Sequence, residues 1–67
     1  MSLAKVVEVT AASPESFEDA IRKGLARTAH TVENIQGAWI KEQKVVVERD
    51  TITEFRVDMK VTFIVRE

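Results

Sequence analysis

The chain has 67 residues, no cysteine and a formal net charge of −1, and 45% of its residues are apolar and 31% charged. Charges of both signs are mixed along the chain, which argues against nucleic acid or a membrane surface as a partner. No apolar run approaches the roughly 20 residues of a membrane span. The lack of cysteine excludes disulfides and thiolate metal sites within these residues.

This length leaves room for one domain only, and we expect a single domain over residues 1–67. A core of that size gives marginal stability unless a disulfide, a metal or an oligomer adds to it. Because cysteine is absent, self-association is the expected support. The amino terminus lacks the charged-then-apolar layout of a signal peptide, so we expect a cytoplasmic protein.

The first element in the chain is a predicted strand over Leu3–Thr10, followed by a small-residue segment that ends at Pro14. Ser13 is the expected helix N-cap, because its hydroxyl can accept a hydrogen bond from an unpaired amide of the first turn. Pro14 suits the first helical position, where no amide hydrogen is missed.

The next element is a predicted amphipathic helix of about 18 residues. Its apolar side chains recur at helical spacing: Phe17, Ile21, Leu25 and Val32. Gly24 lies in its middle, where glycine costs up to about 1 kcal/mol relative to alanine. We interpret Gly24 as a point where another backbone approaches closely, in preference to a tolerated surface glycine.

After Asn34 the period changes from helical to extended, and Ile35–Glu48 is predicted to form a second, long strand. Arg49–Thr51 is a short turn, which predicts an antiparallel hairpin with a third strand over Ile52–Arg66. The order β-α-β-β predicts an α+β fold in which a three-stranded antiparallel sheet curls around one helix.

The third strand is too long for the rest of one chain to cover. About fifteen residues at about 3.3 Å each reach roughly 50 Å, whereas a helix of about 18 residues spans roughly 27 Å. Other subunits should therefore cover part of its apolar face. That face consists of alternate residues: Phe55, Val57, Met59, Val61, Phe63 and Val65.

The sequence contains no constellation typical of an enzyme. There is no cysteine nucleophile or glycine-rich phosphate loop, and Ser13 and Ser16 have no evident base partner. His30, the only histidine, lies late in the helix, where a cation suits the negative end of the dipole. We therefore expect a protein that is not an enzyme.

Trp39, the only tryptophan, lies in the second strand. Its indole can pack in the core or an interface, which is the ordinary outcome, or stack on a flat aromatic ligand. The carboxylates show no calcium-loop spacing, although a metal on a symmetry axis could take one carboxylate from each subunit. A structural module that meets another protein through its sheet is a third alternative.

Several segments, taken together and in order, resemble the dodecin family over the whole chain. They are the turn before the helix, two segments around the helix end and parts of the closing strand: Thr10–Phe17, Ala26–Ala29, Thr31–Ile35, Phe55–Val57 and Met59–Phe63. The resemblance implies a hollow dodecamer with one helix packed on each curled sheet. It also implies a storage or quenching protein that binds flavins such as riboflavin and FMN where subunits meet.

In flavin-binding dodecins, a tryptophan of the second strand stacks on the isoalloxazine and a glutamine of the third strand binds its polar edge. Aligned without gaps, these positions are Gly37 and Arg56 here. Glycine offers no stacking surface, and arginine donates hydrogen bonds but accepts none. Trp39, two residues on, projects from the same face as Gly37. The resemblance thus implies Gly37, Trp39 and Arg56 as the flavin-site candidates.

Arginine at the glutamine position is similar to a branch described as calcium-binding dodecins. Glu15 and Glu42 match positions that approach bound cations in some members, and the resemblance makes them candidate ligands for calcium or magnesium. The leading hypothesis is a dodecin-type cage that binds and sequesters flavin. The alternative is a dodecin-fold assembly that has lost flavin binding and holds calcium-like cations on symmetry axes.

Overall fold

Three strands and one helix make up the part of the chain that the computed structural model describes, residues 2–66. The sheet is antiparallel with the order β1-β3-β2, so β3 is its central strand. This arrangement confirms the predicted β-α-β-β order and the three-stranded antiparallel sheet with one helix. The elements are β1 (Ser2–Ser13), α1 (Phe17–Thr28), β2 (Ile35–Glu48) and β3 (Thr51–Arg66).

The core lies between α1 and the centre of β3. Val57, Met59 and Val61 are completely buried on the face of β3 that meets the helix, and Ala20 of α1 is completely buried as well. Because side chains alternate across a strand, this burial confirms the predicted apolar face of the third strand. Further apolar side chains surround the core with part of their surface exposed: Val9, Ala11, Phe17, Ile21, Leu25 and Ile40.

The helix begins later than predicted, and the N-cap is Ser16, not Ser13. The Ser16 hydroxyl accepts a hydrogen bond from the amide of Asp19 at 2.9 Å, with Ser16 in extended backbone geometry. Ser13 instead extends β1 and pairs with Phe55 of β3. Its buried hydroxyl accepts from the amide of Glu15 and donates to the carboxylate of Asp19. Pairing in the sheet thus takes Ser13 away from the helix, and Pro14 lies outside it.

The helix is also shorter than predicted, because it ends at Thr28 and has 12 residues. The Thr28 hydroxyl donates to the carbonyl of Gly24 at 2.8 Å, and the chain leaves the helix through a turn. Val32, which was expected on the helical stripe, follows this turn and is half-buried. Asn34 then adopts a positive φ of 61° directly before β2, a conformation that asparagine tolerates better than most residues.

Gly24 marks a close approach between the helix and the sheet. A Cβ atom placed on it would lie 2.7 Å from Cβ of Ala11 in β1 and 2.7 Å from Cε of Met59 in β3. Real Cβ atoms do not come that close to a neighbour. The expected close approach at Gly24 is therefore present, but side-chain atoms of Ala11 and Met59 make it and not, as predicted, another backbone.

The β2–β3 hairpin turns through Arg49 and Asp50, both with positive φ values of 53° and 62°. Two consecutive residues of this kind make the two-residue turn whose twist matches that of the flanking strands. Thr51, predicted in the turn, is the first residue of β3.

The hairpin extends well beyond the helix. The first residue of α1, Phe17, packs edge-on against Phe55 with 5.1 Å between ring centroids, and β1 stops at Ser13 opposite that same residue. Beyond this point, β2 and β3 pair only with each other among residues 2–66. Val47 and Ile52 in this part of the hairpin are 55% and 51% exposed. The chain measures 52 × 19 × 14 Å along its principal axes. Within one chain, part of the apolar surface stays uncovered, as the length of the third strand predicted.

Among residues 2–66, no helix has the length and apolar character to cross a membrane.

Candidate functional site

The candidate site lies on the side of the sheet that faces away from α1, which we call the outer face. Because the buried residues of β3 point to the helix, the residues between them point the other way. Directly paired residues on neighbouring strands share a face, so the register extends the outer face to β1 and β2. Its central members are Glu8, Thr10 and Ala12 of β1, Arg56, Asp58, Lys60 and Thr62 of β3, and Gly37, Trp39, Glu42 and Lys44 of β2.

Trp39 is the main apolar group of the outer face. Its side chain is 64% exposed, and it is paired with Lys60, whose Nζ lies 5.3 Å from the centroid of the indole. This is a cation–π contact, which holds the ammonium group near the ring. Of the two outcomes left open by the sequence, packing in the core is excluded within one chain. The ring remains available to a ligand or another subunit.

Gly37 leaves open space beside Trp39. It pairs with Thr62, one outer-face step from the pair of Trp39 and Lys60, and a Cβ placed on it would meet nothing within 4 Å. The backbone of β2 is irregular here, with a register shift between Ile35 and Gly37. The structure therefore places Gly37 and Trp39 side by side on an open surface.

Arg56 is remote from Trp39 within one chain. It pairs with Lys44 of β2 and Ala12 of β1, and it is four residues from Lys60, which corresponds to about 13 Å along a strand. Its Nε donates to the carboxylate of Glu54. The three flavin-site candidates thus share the outer face, but only two of them are neighbours.

Carboxylates occupy the interval between Trp39 and Arg56. Glu42 pairs directly with Asp58, and Glu8 of β1 lies diagonally across from Asp58. Lys41, the extra residue at a register shift in β2, reaches across the outer face to Glu8, with 3.4 Å between Nζ and Oε2. The cluster therefore combines three carboxyl groups with one ammonium group.

The two carboxyl groups of Glu8 and Asp58 have opposite pKa shifts. Loss of solvation and then the hydrogen bond with Glu8 raise the pKa of Asp58 above its ordinary value. The hydrogen bond from Asp58 and then the charge of Lys41 lower the pKa of Glu8. Oδ1 of Asp58 is buried and receives no hydrogen bond from the described residues. Asp58 is thus half-buried, and one of its two oxygens lacks a donor among the described residues.

An open groove of about 230 Å³ follows this carboxylate interval on the outer face. Its walls are formed by residues of all three strands: Thr10, Glu42, Lys44, Arg56, Val57 and Asp58. Glu42 and Arg56 were predicted as site residues from the sequence, whereas Asp58, Glu8 and Lys44 were not. Alternation alone could have assigned Asp58 to the outer face, but only the strand register brings it opposite Glu42.

The two candidate metal ligands are not brought together. Glu15 follows the end of β1 beside the helix N-terminus, where its amide donates to the Ser13 hydroxyl. Glu42 lies in the middle of the outer face. Within residues 2–66, no group of three histidine, aspartate or glutamate side chains has an arrangement that could hold a metal ion. Any shared cation would need carboxylates from more than one chain.

Comparison with known proteins gives a consistent result over nearly the whole chain. The family model described as Dodecin matches residues 3–66. Calcium dodecin of Mycobacterium tuberculosis (strain ATCC 25618 / H37Rv) is 30% identical over 66 residues, which cover 98% of this chain and 93% of that protein.

Solved structures show the same fold. Dodecin from Streptomyces davaonensis superposes with a TM-score of 0.94 at 29% identity, with 98% of this chain and 97% of that chain covered. The tt0972 protein from Thermus thermophilus gives a TM-score of 0.93 at 28% identity, with 100% and 98% covered. The calcium-chelating calcium dodecin of M. tuberculosis, with its novel calcium-binding site, gives 0.83 at 28% identity, with 96% and 91% covered.

Proposed function

Because this chain belongs to the dodecin family, we propose that it is a non-enzymatic protein that binds and sequesters a flavin of the riboflavin or FMN class. The subunits assemble into a hollow homododecamer, and the flavin lies where subunits meet. Residues 1–67 form one dodecin-like domain of this cage, which works in the cytoplasm. One observation carries the proposal: the exposed indole of Trp39 on the outer face.

An exposed tryptophan on a sheet is a suitable platform for a planar ring. Indole and isoalloxazine rings attract each other through offset stacking, and the indole stays 64% exposed beside Lys60. The open space at Gly37 gives a flat ligand room beside the ring. Trp39 therefore takes the stacking role that Gly37 cannot perform, and Gly37 lines the space.

Self-association is supported by the exposed end of the β2–β3 hairpin. The hairpin exposes Val47 and Ile52 beyond the helix, and a protein of this size has little core with which to offset that exposure. A second copy that covers the outer face turns an open surface into an enclosed pocket. Arg56 from either copy then contributes hydrogen-bond donors to the polar part of the ligand.

Titration of riboflavin and FMN with the purified protein tests this function. Stacking on Trp39 should quench flavin fluorescence at micromolar protein. Trp39→Ala should abolish the quenching, and Trp39→Phe should keep part of the affinity because it keeps a ring. Native mass spectrometry of the same samples reports subunit number and retained ligand. Flavin that stays fully fluorescent with the unaltered protein contradicts the proposal.

A second function is favoured by one specific comparison, the 30% identity with calcium dodecin. In this alternative the assembly has lost flavin binding and holds calcium or magnesium on symmetry axes. Glu15 and Glu42 lie apart in one chain, so each binds a cation together with the equivalent residue of other subunits. Carboxylate oxygens are the ligands that both cations prefer.

Metal analysis and thermal unfolding separate this alternative from the first. Bound calcium or magnesium should raise the melting temperature, and a chelator should lower it again. Glu15→Gln and Glu42→Gln should each remove the effect of the metal at one site, with Glu33→Gln as the control for loss of one exposed carboxylate. Protein that retains no metal and melts identically with chelator rules out the cation-binding alternative.

A further inference from the structure

The end of β1 and the first turn of α1 are joined through one carboxylate. Ser13 is only 1% exposed, and its hydroxyl accepts a hydrogen bond from the amide of Glu15 and donates one to Oδ2 of Asp19. The amide of Asp19 donates to the hydroxyl of Ser16 at 2.9 Å. Asp19 therefore contacts both serines, one at the end of the strand and one at the helix N-cap.

Asp19 differs in one respect from the corresponding residue of an ordinary capping box. In a capping box, a glutamate or glutamine three positions after the N-cap binds the backbone amide of the N-cap residue. Asp19 occupies that position after Ser16, but its carboxylate accepts from the Ser13 hydroxyl in β1. The contact therefore joins the helix to the sheet.

The strength of this contact depends on the charge of Asp19, because hydrogen bonds to a charged acceptor are roughly twice as strong as neutral ones. Among residues 2–66, the charged group that acts on Asp19 is Lys23, one turn along α1, with 3.1 Å between Nζ and Oδ2. The hydrogen bond from Ser13 and then that from Lys23 lower the pKa of Asp19. Glu18, the adjacent carboxylate, is paired with Arg22.

The joint lies where the hairpin begins to extend beyond the helix. Ser13 pairs with Phe55 of β3, and the ring of Phe17 packs edge-on against the same side chain. On its other side, Phe55 pairs with Val45 of β2, which is 37% exposed. At this end of the helix β3 therefore contributes an uncharged ring, and displacement of Phe17 would join Phe55 and Val45 in one exposed apolar surface.

We propose that the contact between Ser13 and Asp19 is a charge-dependent latch on the beginning of α1. While Asp19 is ionised, the latch holds this end of the helix on the sheet and keeps Phe17 on Phe55. Protonation of Asp19 opens the helix end locally, and the rest of α1 stays on the sheet through the close contact at Gly24. Such local opening requires less free energy than global unfolding.

The pH at which the latch opens follows from the lowered pKa of Asp19. In the unfolded chain this group titrates near its ordinary value of 3.8, so the latch contributes fully above that pH. Its contribution is lost as the pH falls through the lowered value of the folded protein. The latch is therefore closed at neutral pH and opens in acid. It is independent of the proposed flavin binding, because all its groups belong to one chain.

Hydrogen exchange of the full-length protein tests the latch at the amides of Asp19 and Ala20, which donate to the hydroxyl and the carbonyl of Ser16. Asp19→Asn keeps the shape of the side chain and removes its charge. It should lower the protection factors of both amides by about threefold to tenfold at neutral pH, as expected for the loss of one hydrogen bond. The difference from the unaltered protein should vanish in acid, where residue 19 is neutral in both proteins.

Glu18→Gln is the matched control, because Glu18 lies in the same first turn and experiences the same helix dipole, but pairs with Arg22 of its own helix. It should change the protection factors less than Asp19→Asn does. Ser13→Ala removes the donor and should lower them as Asp19→Asn does, and the double variant should show little further loss. Lys23→Met should have a smaller effect, because the link to β1 remains.

Equal effects of Asp19→Asn and Glu18→Gln would overturn the latch, because Asp19 would then act only through the helix dipole. Additive losses for Ser13→Ala and Asp19→Asn would also overturn it, because the two side chains would then act separately. The same conclusion follows if Asp19→Asn lowers protection at the amide of Met59, in the core, as much as at Ala20. In that case the helix end would not open independently of the fold.

Discussion

The side chains of β3 alternate between an inner face that points to the helix and an outer face that points away from it. The two faces differ in how completely one chain covers or pairs their side chains. Toward the helix, Val57, Met59 and Val61 are completely buried by residues of the same chain. Toward the outside, Asp58 has a buried oxygen without a donor among residues 2–66, and Trp39, on the neighbouring strand, is 64% exposed. The centre of the inner face is covered within a single subunit, whereas the ends of that face and the outer face leave side chains exposed. The fold is therefore explained mainly by the inner face, and the proposed function rests on the outer face.

Replacing Met59, at the centre of the inner face, should give the largest effect on stability. Met59→Ala leaves a cavity beside Ala20 and Val57 in the core cluster, and such truncations cost about 2–5 kcal/mol. Urea unfolding at fixed protein concentration should show this loss in the free energy of unfolding. In a protein this small the variant should be largely unfolded at physiological temperature.

Lys60→Met, one residue along the strand, is the matched control from the outer face. It removes a cation from an exposed pair with Trp39 and should change the free energy of unfolding by less than about 1 kcal/mol. Similar losses for Met59→Ala and Lys60→Met would contradict the division between a structural and a functional face.

Gly24→Ala should give the second largest effect, because it tests how tightly the inner face is packed. A Cβ at this position would lie 2.7 Å from Cβ of Ala11. That atom is bonded directly to the backbone of β1, so it cannot move aside unless the strand moves. Overpacking of this kind costs about 1–3 kcal/mol. Alanine would otherwise gain up to about 1 kcal/mol in helix propensity. The sign of the net change in the free energy of unfolding therefore shows whether the contact outweighs the propensity.

Ala26→Gly provides the comparison, since Ala26 is exposed on the same helix. That variant should lose up to about 1 kcal/mol through propensity alone. The double variant Gly24→Ala with Ala11→Gly should recover part of the loss, as measured by urea unfolding. A Gly24→Ala protein that is more stable than the original would show that helix and sheet have room to separate.

How much of this was predictable from sequence differs between the two faces. The strict alternation from Phe55 to Val65 identified the inner face correctly, because one apolar face is a local property of the strand. The helix cap was predicted wrongly, since Ser13 and Ser16 have similar capping chemistry and the pairing of Ser13 with Phe55 decides between them.

On the outer face, sequence identified the residue types but not their neighbours. The approach of Glu42 to Asp58 depends on the register of β2, and that register shifts at Ile40–Glu42. An irregularity of this kind has no clear signal in the sequence. The donorless oxygen of Asp58 is likewise a consequence of long-range pairing.

The smallest expected effect on stability, and the one that most directly compares the faces, concerns Asp58. Its pKa is raised above the ordinary 3.8, so its favourable contribution is fully present below that pH and is lost as the pH rises through the raised value. Glu8 behaves in the opposite way, because its pKa is lowered from 4.5 and its contribution disappears as the pH falls. Asp58→Asn removes the pH-dependent contribution of the Asp58 carboxyl group and leaves a neutral side chain of similar shape.

Asp58→Asn should therefore melt at a higher temperature than the unaltered protein at neutral pH, and the difference should vanish as the pH approaches about 4. Calorimetry across that range measures it, with Glu33→Gln as the control for loss of one exposed carboxylate. A lower melting temperature for Asp58→Asn at neutral pH would show that the charged carboxylate is already satisfied in the protein alone. In that case the outer face would not need a ligand or a second subunit at this position. At Asp58, the two faces of β3 would then not differ in how well one chain satisfies them.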